Sequence, residues 1–149
     1  MNTTTLNPSQ SMAQISIKRI YKHPIAKVWS AISEAEALST WLMPVSNLRL
    51  EKGNRFQFKT EPRGNFDGIV NCSVVDYEEP HYLQLSWQAT GMAQPTIVIY
   101  RLSDLGDGRT LLHLTHDGFR GFSGQVTRMI LSFGWKSLSK KKLSKYLIT

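Results

Sequence analysis

The chain has 149 residues, 41% of them hydrophobic and 19% charged, a balance ordinary for one globular domain. Its single cysteine, Cys72, excludes an internal disulfide framework, and no run of ~18 apolar residues is present to cross a membrane as a helix. The formal charge of +7 and sequence pI of about 9.7 point towards acidic partners, yet the cations are scattered until the C-terminal segment, and solubility alone accounts for such scatter.

Residues 1–13 are polar, rich in Thr, Asn, Ser and Gln, with neither the basic nor the apolar region of a secretory signal. They are expected to form a flexible tail ahead of a single domain over 14–149, with the cytoplasm as the expected address. Ile15, Ile17, Arg19 and Tyr21 alternate with their neighbours and predict a strand over 14–22. Pro24 suits a helix start, and Ile25, Val28, Trp29 and Ile32 recur at helical spacing to Ser33. Ser33 with Glu36 three residues on predicts a capping box for a second short helix over 34–41, closed by Pro44.

From Asn47 the period becomes two. Leu48 and Leu50 predict one strand, Gly53-Asn54 a turn, and Phe56 and Phe58 the next strand. A long strand is expected over 66–77, with a bulge near Val74-Val75 where the apolar phase changes. Strands over 82–88, 97–102 and 109–117 follow, the last two joined through Gly106-Asp107-Gly108, which is hairpin chemistry. After Gly121 the chain reads as helix to its end. Phe122, Val126, Met129, Ile130 and Phe133 share one face. Trp135, Leu138, Leu143, Tyr146 and Leu147 form a second set, rotated by roughly a third to half a turn. The helix therefore either kinks at Gly134 or buries two faces. Lys136, Lys140, Lys141, Lys142 and Lys145 near its C-terminus complement the helix dipole.

The fold class is α+β: one strand, two short helices and about six antiparallel strands curved around a long C-terminal helix. This order resembles the START-like, or helix-grip, superfamily (SRPBCC), and within it the stand-alone form of the heat-shock-protein-90 ATPase activator homologue family. Four segments carry the resemblance: Arg19 to Pro24 with Val28-Trp29-Ser30-Ala31; Leu38 to Pro44 around Trp41; Glu79-Pro80 to Leu85-Ser86-Trp87; and Gly108-Arg109-Thr110 through Thr115-His116-Asp117-Gly118-Phe119, then Gly134-Trp135. Leu42 stands where a second Trp is common, and Gly53-Asn54 replaces the usual Gly-Gly.

The resemblance implies a space between the curved sheet and the helix that takes a small hydrophobic or lipid-like ligand. Candidate lining residues are Trp41, Phe56, Phe58, Trp87, Ile99, Phe122, Val126, Met129, Ile130 and Phe133; the alternative is that they fill the core. The family also implies a protein-interaction module of the chaperone-activator, stress-response type. A cyclase- or hydrolase-like enzyme on an aromatic or polyketide-like substrate is a weaker reading, because no catalytic constellation is present. There is no Gly-x-Ser-x-Gly elbow and no phosphate-binding glycine motif. His113 and His116 are three apart on a strand and face opposite ways, His23 and His81 lie in turns, and Asp117 suits a turn role. No metal and no cofactor are therefore expected. Cys72 reads as a small buried hydrophobe, and the aromatics as core rather than as a nucleic-acid stacking platform.

Overall fold

Period-two alternation builds one antiparallel sheet of seven strands in the computed structural model, which describes residues 14–149. The expected tail, residues 1–13, lies outside the described residues. The elements are β1 (Ile15–Tyr21), α1 (Ile25–Ser33), α2 (Ala35–Trp41), β2 (Val45–Ser46), β3 (Arg55–Lys59), β4 (Ile69–Glu78), β5 (Tyr82–Ala89), β6 (Thr96–Gly106) and β7 (Arg109–Asp117). A continuous C-terminal rod follows: α3 (Gly121–Ser137), a π turn (Leu138–Lys142) and α4 (Leu143–Ile148). Strands β2 to β7 form a meander, and β1 closes the far edge by pairing with β7, giving the order β1-β7-β6-β5-β4-β3-β2.

One face of the sheet carries Val70, Cys72 and Val74, Leu83, Leu85 and Trp87, Val98, Tyr100 and Leu102, and Leu112, Leu114 and His116, all buried. Successive strand residues point to opposite faces, so these sets form the core wall. The bulge falls where the phase change places it: the register shifts between Val74 and Asp76, Val75 is turned to solvent, and Tyr77 comes opposite Leu83. At the β6–β7 hairpin both Asp107 and Gly108 have positive φ, 56° and 71°, the twist a two-residue turn needs.

Two local expectations are corrected. Leu48 and Leu50 are not in a strand; β2 is the shorter Val45–Ser46, paired with Phe58 and Gln57. The two leucines are half-buried in the loop that follows, where extended chain shows the same alternation without a ladder. Ser33 does not cap α2. It ends α1, and its hydroxyl donates to the Trp29 carbonyl at 2.6 Å, while Glu34 takes the cap position without a side-chain bond.

The rod does not kink at Gly134; α3 runs through it to Ser137. The change of face is absorbed four residues later. Leu143 N–H reaches the Leu138 carbonyl, five residues back, so one turn holds an extra residue. The edge strand secures that turn. The Tyr21 hydroxyl donates to the Ser139 carbonyl at 2.6 Å, and the Arg19 guanidinium donates to Ser139 Oγ at 3.2 Å and to the Lys136 carbonyl at 3.3 Å. Trp135, Ser139, Leu143 and Leu147, four residues apart, are thereby all buried. In an unbroken α-helix that spacing drifts about 40° per step. Leu143 and Leu147 meet Val28 and Ile32 of α1 and Leu38 and Trp41 of α2 in one core, so α4 is the part of the rod that α1 and α2 enclose.

Tyr21→Phe leaves the Ser139 carbonyl without its donor and should lower stability by about 1–3 kcal/mol. Leu143→Ala should cost about 2–5 kcal/mol. Urea unfolding measures both, and a Tyr21→Phe midpoint equal to wild type would show that the π turn holds without the phenol.

Candidate functional site

The end of β7 places an imidazole at the junction of sheet and rod. His116 is fully buried, with Trp87, Phe119 and Trp135 packed around its ring at centroid distances of 5.1, 4.7 and 6.2 Å. Trp135 Nε1–H donates to His116 Nδ1 at 3.0 Å. Nδ1 is therefore the acceptor, and the ring proton sits on Nε2, which donates to Thr96 Oγ1 at 2.7 Å. The Thr96 hydroxyl in turn donates to the Trp87 carbonyl at 2.6 Å. Every polar atom of the imidazole is used. Burial pushes its pKa down to about 3, so the ring is neutral near pH 7 and serves as a structural joint, not as an exchangeable acid or base.

The remaining titratable candidates lie apart. His113 points to the other face of β7 and meets Ser16 Oγ at 2.9 Å. The Asp117 carboxylate accepts from Gly118 N–H at 2.8 Å, which is the turn role, and Gly118 itself has φ of 101° and lies close against Thr96. Burial raises the Cys72 thiol pKa and keeps it protonated. Among the described residues no three His, Cys, Asp or Glu side chains converge on a metal position. Trp87 Nε1–H is buried and unpaired among the described residues, a donor the core does not satisfy.

The ten candidate lining residues fall into three places. Trp41, Phe56, Phe58 and Trp87 are buried in the core, Phe56 and Phe58 edge to face at 5.6 Å. Ile99 lies on the opposite face of the sheet, beside Ile97 and Thr115 at an open hollow of about 270 Å³. Phe122, Val126, Met129, Ile130 and Phe133 point away from the sheet and are 43–87% exposed. The inward side of α3 is instead Gly124, whose missing Cβ leaves room for the Phe119 backbone, then Leu131 and Trp135. The outward row leaves on the order of 500 Å² of apolar surface uncovered, at the upper end for a monomer. A second open hollow of about 370 Å³ lies between α1 and the Leu48–Leu50 loop, away from this row. The Trp135–His116–Thr96 joint was not apparent in the sequence. The signal for it was Trp135 heading the second apolar set, but its partners lie 19 and 39 residues away.

A seven-stranded antiparallel sheet with two short helices and a C-terminal rod against its inner face defines a helix-grip domain. Residues 22–147 match the family described as activator of Hsp90 ATPase homolog 1-like protein, and the chain belongs to that family. No curated protein matches the chain in sequence. Among solved structures, protein MLL2253 from Mesorhizobium loti superposes with a TM-score of 0.77 at 22% identity, over 90% of this chain and 96% of that one. CalU16 from Micromonospora echinospora gives 0.72 at 25% identity, over 90% and 75%. An HSP90 activator from Plasmodium falciparum, PFC0360w, gives 0.66 at 18% identity, over 83% and 88%.

The joint predicts a pH dependence. Unfolded, the imidazole has its ordinary value of 6.5; folded, about 3. Between these values the unfolded chain binds the extra proton. The contribution of His116 is therefore complete above pH 6.5 and is lost as pH falls towards 3, by about 1.4 kcal/mol per pH unit. Urea midpoints at about pH 7 and pH 5 should show the drop. His116→Gln should flatten it and cost about 2–4 kcal/mol at neutral pH, since Trp135 Nε1–H loses its acceptor. Equal slopes in the two proteins would assign the pH dependence to other groups.

Proposed function

We propose that this chain is a cytoplasmic, non-enzymatic binding domain whose ligand is an apolar, lipid-like molecule held against the C-terminal rod. The observation that carries the reading is the outward row of α3: five large apolar side chains aligned on one helix face with none of the chain's own core over them. The one buried imidazole is fully occupied by Trp135 and Thr96, which favours binding over acid–base chemistry. A ligand that also reaches beneath α3 would meet the Trp87 indole N–H, which offers a donor for a single carbonyl or carboxylate oxygen.

Titration with a dispersed fluorescent fatty acid tests the reading. The wild-type chain should bind it, and the double variant Phe122→Ser/Phe133→Ser should weaken binding at least tenfold. Trp87→Phe should leave affinity nearly unchanged if the ligand stays on the outward row, and should weaken it if the ligand reaches the core. Absence of binding, together with no co-purifying ligand in native mass spectrometry, would reject the reading.

A second reading, a partner of the chaperone-activator, stress-response type, is favoured by the family match over residues 22–147 and by the basic rod. The ATPase rate of a heat-shock-protein-90 chaperone decides it. Stimulation by the wild-type chain that disappears with Lys140→Glu/Lys141→Glu/Lys145→Glu supports it; an unchanged rate with the wild-type chain excludes it.

A further inference from the structure

We infer that the outward face of the C-terminal rod docks on an anionic lipid bilayer, with the apolar half of α3 among the acyl chains and the lysines that follow it at headgroup level. The inference rests on the lipid-like reading above and names the form in which the lipid is met. Its first support is charge. The chain has 18 Lys and Arg against 11 Asp and Glu; seven of the cations and none of the anions follow Asp117, so residues 1–117 balance eleven against eleven. The whole net charge of +7 therefore lies in residues 118–149, the segment that bears the apolar row. Neither of the two ion pairs among the described residues, Arg49–Glu51 and Lys52–Asp76, involves this segment.

The second support is alignment. Residues at 100° steps place Phe122, Val126, Met129 and Phe133 on the same side as Lys136. Lys140 and Lys141, within the π turn, and Lys145, beyond it, are exposed and lie away from buried Ser139, Leu143 and Leu147. One continuous outward face is thus apolar in its first half and cationic in its second. An amphipathic helix of this composition lies in a membrane interface, while lysine stems keep their charges at the headgroups. The rod rests on the bilayer and does not span it: no helix among the described residues is long and apolar enough to cross.

The other occupants fit less well. A second copy would bring an equal, uncompensated positive charge against the first, and like charges across an interface oppose association. A folded protein partner usually meets Trp, Tyr and Arg at the contact centre, with Lys depleted. Here Trp29, Trp41, Trp87 and Trp135 are all buried, and the exposed charges of the face are lysines. Point charges and apolar area without directional donors suit a fluid anionic surface.

Vesicle co-sedimentation tests the inference, using phosphatidylcholine alone and phosphatidylcholine with about 30 mol% phosphatidylglycerol, at about 0.05 and 0.5 M salt. The wild-type chain should bind the anionic vesicles at least tenfold more tightly than the neutral ones and lose that preference at high salt, because each lysine near such a surface contributes about fivefold. Phe122→Ser/Phe133→Ser, with an unchanged circular dichroism spectrum, should abolish binding, and Lys140→Glu/Lys141→Glu/Lys145→Glu should remove the anionic preference. Since the native tryptophans are buried, Phe133→Trp supplies an exposed reporter whose emission should shift to the blue on anionic vesicles. No sedimentation at low salt overturns the inference. So does binding that survives loss of both phenylalanines, or a dimer in free solution that Phe133→Ser dissociates. If vesicles fail while the dispersed fluorescent fatty acid still binds, only the bilayer inference falls; if both fail, the lipid-like reading falls with it.

Discussion

The hydrogen bond from Trp135 to His116 is the contact on which the relation of rod to sheet depends. It joins the C-terminal half of α3 to the last inward residue of β7, and through Thr96 it reaches the start of β6 and the end of β5. Three strand ends and one helix meet at a single ring. A neutral imidazole has one donor and one acceptor, and both are used. Protonation would turn Nδ1 into a donor facing the Trp135 donor, so the same geometry that builds the joint also keeps the ring uncharged. Because α3 is held by Phe119 against Gly124 at one end and by Trp135 at the other, its outward side carries no structural duty.

Much of the architecture could be read from periodicity. The alternation of Val70, Cys72 and Val74, and its break at Val75, located both a strand and its bulge, because burial of one face forces period two and a bulge must change the phase. Gly106-Asp107-Gly108 located the last hairpin because positive φ is a local demand. Leu48 and Leu50 misled for the converse reason: alternation marks extended backbone, whereas a strand also needs a partner. Ser33 misled because its hydroxyl found the Trp29 carbonyl of its own helix before it could serve the next one.

The candidate site was less legible. The apolar side of a helix is defined around the helix's own axis and does not say which neighbour that side meets. Phe122 to Phe133 form an apolar side as plainly as Leu143 and Leu147 do, yet only the latter face the core. The choice is made by Trp135 and by the Tyr21 and Arg19 bonds to the π turn, contacts between segments more than a hundred residues apart in the latter case. The rotation between the two apolar sets was visible, but Gly134, the weakest helix former nearby, was the natural place to expect it. The backbone instead opened where a phenol and a guanidinium could take up the freed carbonyls.

The π turn has a consequence for how this domain can vary over time. The rod is one residue longer than a plain α-helix needs to bring Trp135 and Leu143 to the same side, and the π turn stores the surplus. Loss of one residue between 138 and 142 would close the turn to an ordinary helical one and leave Leu143 and Leu147 still aimed at the core. What disappears is the spare carbonyl that Tyr21 holds. The same loss between Gly124 and Trp135 finds no slack, and would rotate one anchor of α3 by about 100° against the other. A single-residue deletion within 138–142 is therefore the one change of length that helix geometry lets the rod absorb without turning its core-facing side away.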